Sequence, residues 1–69
     1  MLEGTVKYVG PDGSWGIISR DDKQPKVFLH ISEVHNAGFN EIRKGQRWAF
    51  ELRIGQNGRT SATDLLRIS

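Results

Sequence analysis

Short apolar runs alternate along this chain with clusters of turn formers. Residues 2–9, 15–20, 26–31, 47–54 and 60–68 are rich in β-branched and aromatic side chains. Between them lie Gly10-Pro11-Asp12-Gly13, Asp21-Asp22-Lys23-Gln24-Pro25, Asn36-Ala37-Gly38, Lys44-Gly45 and Gly55-Gln56-Asn57-Gly58. Glycine and asparagine tolerate positive φ, proline presets φ, and aspartate bonds its own backbone, so these clusters read as turns. Five short runs at this spacing predict an all-β meander closing into a small barrel or sandwich. Residues 32–37, SEVHNA, allow one helical turn capped by Ser32, with Asn36 and Gly38 stopping it early. The longer stretch 32–44 lacks the apolar stripe of period 3.6 that a docking helix needs.

Period two sorts the faces of each run. In the third run Val27, Leu29 and Ile31 share one side, and Lys26, Phe28 and His30 share the other. A lysine and a histidine do not suit the thin core of a small domain, so Phe28 is expected outside with them. In the fourth run Trp48, Phe50, Leu52 and Ile54 fall on the inward side, with Arg47, Glu51 and Arg53 outward. In the second run Trp15 and Ile17 share a side. If runs two and three pair as a hairpin, Trp15, Ile17, Phe28 and His30 make one outer surface. Such a patch on a small protein marks a binding site, unless another element covers it as a second core layer. Gly16, beside Trp15, permits close approach of a ligand or of a neighbouring strand. Tyr8 is not placed by alternation, since Val6 on the same side reads as core.

Composition narrows the classes. Sixty-nine residues fit one domain, spanning 1–69, with a correspondingly thin core. There is no cysteine and there are two histidines, which excludes disulfide staples and thiolate zinc sites. No apolar run approaches the roughly 18 residues of a membrane span, and the start, MLEGTVKY, has no signal-peptide stretch. The expectation is a cytoplasmic monomer with no membrane partner. Ten Lys and Arg against eight Asp and Glu leave a net charge of +2, which permits nucleic-acid binding without implying it. Asp21-Asp22 lacks the third ligand of a metal site, and Ser61, Thr63 and Asp64 form no nucleophile–base pair with a distant histidine. Neither a metal, a cofactor nor an enzymatic activity is expected.

Flat π-faces beside positive charge suit unpaired bases, because every base offers a face and each stack contributes about 1–3 kcal/mol. Lys7, Lys26 and His30 lie on or near the same runs and are candidates for phosphates or base edges. Gly4-Thr5-Val6-Lys7-Tyr8, Ser14-Trp15-Gly16-Ile17-Ile18 and Val27-Phe28-Leu29-His30-Ile31-Ser32 resemble the cold-shock domain family. The likeness continues through Gly38-Phe39, Gly45-Gln46 and Phe50-Glu51 to Ala62. The second run is similar to the family's first RNA-binding motif and the third run to its second. The resemblance implies a five-stranded antiparallel OB-fold barrel that binds single-stranded RNA or DNA on its first three strands. It carries contact roles onto Lys7, Tyr8, Trp15, Phe28 and His30, and onto Phe39 as a further aromatic of the platform. Ile17 completes the apolar floor. Arg43, Lys44 and Arg59 are candidates for additional charge.

Departures from the family pattern set the expected strength. Val9, Ile17 and Ile31 stand where phenylalanine is usual, Gly13 where lysine is usual, and Gly10 where asparagine is frequent. Losing about 1 kcal/mol at two of these sites weakens binding roughly 30-fold, so a weak, sequence-tolerant binder of RNA-chaperone type is expected. The competing reading is a protein-interaction module that kept the barrel and partly lost the platform.

Overall fold

The computed structural model describes all residues, Met1–Ser69. Five strands, β1 (Leu2–Val9), β2 (Trp15–Arg20), β3 (Val27–His30), β4 (Arg47–Ile54) and β5 (Thr60–Arg67), are joined by one short helix, α1 (Ile31–Asn36). The strands close into a barrel in the order β1-β2-β3-β5-β4. This is the five-stranded barrel of the sequence reading, with one refinement. The β3–β5 joint, where Phe28 faces Ser61, is parallel, and the other four joints are antiparallel. No helix is long and apolar enough to cross a membrane.

The interior is one cluster: Val6, Ile18, Val27, Leu29, Val34, Ile42, Trp48, Phe50, Ala62 and Leu65. Val27 and Leu29 point into it, and Ile31 packs partly against it, as period two requires. The helix begins two residues earlier than a turn capped by Ser32 would, because His30 is its cap. The imidazole Nδ1 of His30 accepts from the Ser32 backbone N–H at 3.1 Å. Gly38, at φ 91°, ends the helix. There the N–H groups of Gly38 and Phe39 donate to the carbonyls of His35 and Val34, closing a Schellman-type cap. Buried Gln46 ties down the following loop: its amide donates to the Glu41 carbonyl, and its Oε1 accepts from the Arg43 N–H and, at 3.4 Å, from Trp48 Nε1. That loop delivers Ile42 to the core.

Two irregularities reset the alternation. Across β1 and β2, Val6 faces Ile18 but Tyr8 already faces Ile17, so Lys7 is an extra residue in β1. Across β4 and β5, Ala49 faces Leu66 while Glu51 faces Thr63, which leaves an extra residue in β5 beside Asp64 at φ 52°. One expectation fails. Leu52 and Ile54 do not continue the inward row of Trp48 and Phe50, for they are 39 % and 75 % exposed. The β1–β4 pairing runs out at Leu2 and Phe50, so the rest of β4 projects past the barrel wall with no β1 residue beside it.

Candidate nucleic-acid interface

The β2–β3 ladder builds the site. Trp15 faces His30 and Ile17 faces Phe28, so Trp15 and Phe28 are diagonal neighbours on one surface. Their rings are nearly parallel, at 16°, with centroids 6.0 Å apart. The row extends both ways: Tyr8 lies 5.5 Å from Trp15, and His30 lies 6.4 Å from Phe28. Tyr8 joins it because the extra residue at Lys7 turns both Lys7 and Tyr8 to solvent, while Val6 stays in the core. No other element covers the row. Tyr8 is 51 % exposed, His30 is exposed, and Trp15, Ile17 and Phe28 are half-buried. The second-core-layer alternative is thereby removed.

Beside the row is an open cleft of about 510 Å³, lined by Trp15, Ile17, Lys26, Phe28, Arg59 and Thr60. Arg59 arrives from the β4–β5 turn and sets its guanidinium 4.7 Å from the Phe28 centroid, a cation–π geometry. Alternation within a strand cannot reveal this contact. It needs the β3–β5 joint, which sequence alone does not show, although Arg59 is one of the candidate loop charges of the sequence. Thr60 carried no sequence signal at all.

The charges divide in a useful way. Arg20, Arg43, Arg47 and Arg53 are each engaged by a carboxylate. Lys7, Lys26 and Arg59 are exposed and belong to no ion pair, and they stand at the row. Lys23, Lys44 and Arg67 are likewise in no ion pair, but of the unpaired cations only Lys26 and Arg59 line the cleft beside the rings. The β1–β2 turn that leads into Trp15 is fixed by Asp12, whose Oδ1 accepts from Ser14 N–H at 3.0 Å and Ser14 Oγ at 2.8 Å. Those bonds hold the Asp12 carboxyl below its ordinary range.

Phe39 is not brought into the row. It packs edge-on to Trp48, with centroids 5.3 Å apart at 84°, and remains 37 % exposed. Gly16 is buried, and its missing side chain makes room for the Tyr8 carbonyl and Ile42 rather than for a ligand. Of the three aliphatic departures only Ile17 lines the cleft, while Val9 and Ile31 pack against the core. Chemically, the arrangement offers a strip of ring faces about four side chains long with cations along it. That suits planar, anionic polymers whose bases are already unpaired.

The family model described as "'Cold-shock' DNA-binding domain" matches residues 2–68. A probable cold shock protein of Sinorhizobium fredii, y4cH, is 39 % identical over 66 residues, covering 94 % of this chain and 96 % of that one. Cold shock protein ScoF of Streptomyces coelicolor is 36 % identical over 58 residues, covering 84 % of this chain and 87 % of its own. Glycine-rich protein 2 of Nicotiana sylvestris is 35 % identical over 63 residues, 91 % of this chain but 29 % of that longer protein.

Proposed function

This chain belongs to the cold-shock DNA-binding domain family, and on that premise we propose that it binds single-stranded RNA or DNA by stacking bases on the row Tyr8–Trp15–Phe28–His30. The observation that carries the proposal is the nearly parallel, half-open pair Trp15–Phe28 with the unpaired cations Lys26 and Arg59 beside it. Each ring takes a base face, Ile17 supplies apolar floor, and Lys7, Lys26 and Arg59 meet phosphates. Phe39, on its separate cluster, is a secondary contact for a longer strand.

Binding here involves no bond making. Many weak contacts compete with base pairing inside an RNA, so occupancy lowers the population of misfolded hairpins by mass action. Ile17 in place of a ring removes one π-face from the cleft, which makes the affinity lower than that of a fully aromatic relative. Micromolar affinity for a short oligonucleotide is the expectation, about −8 kcal/mol.

Titration with heptathymidine at low salt tests this. Trp48 is fully buried, so quenching of tryptophan emission reports Trp15. The affinity should fall with salt at a slope of roughly 2 in log–log form, as three phosphate contacts on a single strand require. Absence of quenching, or an affinity indifferent to salt, would favour the protein-interaction reading.

A further inference from the structure

Gly10 is buried, and the group lying over it is the indole of Trp15. A Cβ on Gly10 would stand 2.4 Å from both Cε2 and Nε1 of Trp15 and 2.9 Å from its Cδ1. Two other glycines are equally crowded, for a different reason. A Cβ at Gly4 would meet the Ser19 carbonyl oxygen at 2.6 Å, and one at Gly16 would meet that of Tyr8 at 2.9 Å. Those two serve the approach of neighbouring strands. At Gly10 all three nearest atoms belong to a single ring of the proposed interface.

The backbone at position 10 does not itself require glycine. Unlike Gly13 at φ 74°, Gly10 lies outside the left-handed region, and its N–H donates to the Trp15 carbonyl at 2.8 Å, a bond alanine would keep. The three nearest obstacles to a side chain there are all atoms of the indole. Tyr8 at 5.5 Å and Phe28 at 6.0 Å flank that ring, so displacing it changes its contact with both neighbours of the row. Ordinary van der Waals contact begins near 3.4 Å, so a Cβ at 2.4 Å displaces the edge of the indole by about 1 Å.

We infer that Gly10 is a positioning residue for the interface: its missing side chain is the shelf on which the wide Trp15 ring lies level with Phe28. The glycine at 10, one of the departures from the family pattern, is then matched by the wide ring at 15, which fills the space left at position 10. The consequence for binding rests on the reading under Proposed function, whereas the packing claim does not.

Four proteins test it: the unaltered chain, Gly10→Ala, Trp15→Phe and the double variant. Emission of Trp15 is recorded in the free proteins that retain it, and anisotropy of labelled heptathymidine gives the affinity of all four. Gly10→Ala should shift Trp15 emission to the red and weaken binding about fivefold to tenfold, while in the Trp15→Phe background the same change should cost less than about twofold. Unchanged emission with unchanged affinity, or an equal loss in both backgrounds, overturns the inference. If Gly10→Ala does not fold, a folded double variant supports the inference and an unfolded one overturns it. If the unaltered protein binds no oligonucleotide, the proposed function fails, and emission of the free proteins still decides the role of Gly10.

Discussion

The barrel holds two clusters built from the same residue types, one tryptophan, one phenylalanine and one arginine each, and they differ in what they leave open. Trp15 and Phe28 are nearly parallel, with Arg59 over Phe28, and line a cleft. Trp48 and Phe39 meet edge to face, with the Arg67 guanidinium 5.5 Å from both centroids. Trp48 is wholly buried and donates its Nε1–H to Gln46. Along β5, Ser61 faces Phe28 whereas Arg67 faces Trp48, so six residues of strand and the bulge at Asp64 lie between the clusters. Aromatic and basic content alone does not make an interface. Trp48 spends its surface on the core, and Trp15 keeps part of its surface open to the cleft.

The sharpest way to break this contrast is to remove each indole. Trp48→Ala should lower unfolding stability by about 3–5 kcal/mol in a urea melt, a large share of a small domain's total. Trp15→Ala and Phe28→Ala should stay folded and lose about 5- to 150-fold in affinity for heptathymidine, the value of one base stack. Unfolding by Trp15→Ala would place that ring in the core and erase the distinction. A smaller effect separates the two phenylalanines: Phe39→Ala should cost less than about threefold for the same heptamer, far below one base stack. Smaller again is the arginine contrast. Arg59→Ala should reduce the log–log salt slope of binding by about 0.7, one phosphate on a single strand, and Arg67→Ala should leave it unchanged.

The smallest expected effect concerns acid and the Trp48 side. Arg47, next to Trp48, bonds Asp21 at 2.8 and 2.7 Å and holds that carboxyl below its ordinary value of 3.8. A depressed carboxylate stabilises the fold at every pH above its unfolded value, and that contribution is lost as pH falls through the lower, folded value. The urea midpoint should therefore decline below about pH 4, and Asp21→Asn should flatten the decline while leaving oligonucleotide affinity intact. The Asp21 carboxylate is well exposed, so the effect is modest.

Much of this was legible in the residues. Alternation in 26–31 put Phe28 and His30 outside, and the same rule put Trp48 inside, because strand periodicity is local and strong. It failed where geometry is set by pairing. Tyr8 needed the bulge at Lys7, which no single-strand pattern encodes. Leu52 and Ile54 carry an inward pattern, yet β1 ends before it can cover them. Phe39, assigned to the platform through family likeness, is held by the helix cap and Trp48 at a different cluster. Arg59 over Phe28 is visible only once β3 meets β5, and Gly10 under Trp15 only once the β1–β2 turn is closed.

The most direct test is a map of backbone amide shifts as heptathymidine is added. The largest perturbations should fall on Lys7, Tyr8, Trp15, Ile17, Lys26, Phe28, His30 and Arg59, with Leu52, Ile54 and Leu66 unmoved. Perturbations centred on Phe39 and Arg67 with the β2–β3 row silent, or no perturbation anywhere, would contradict the account.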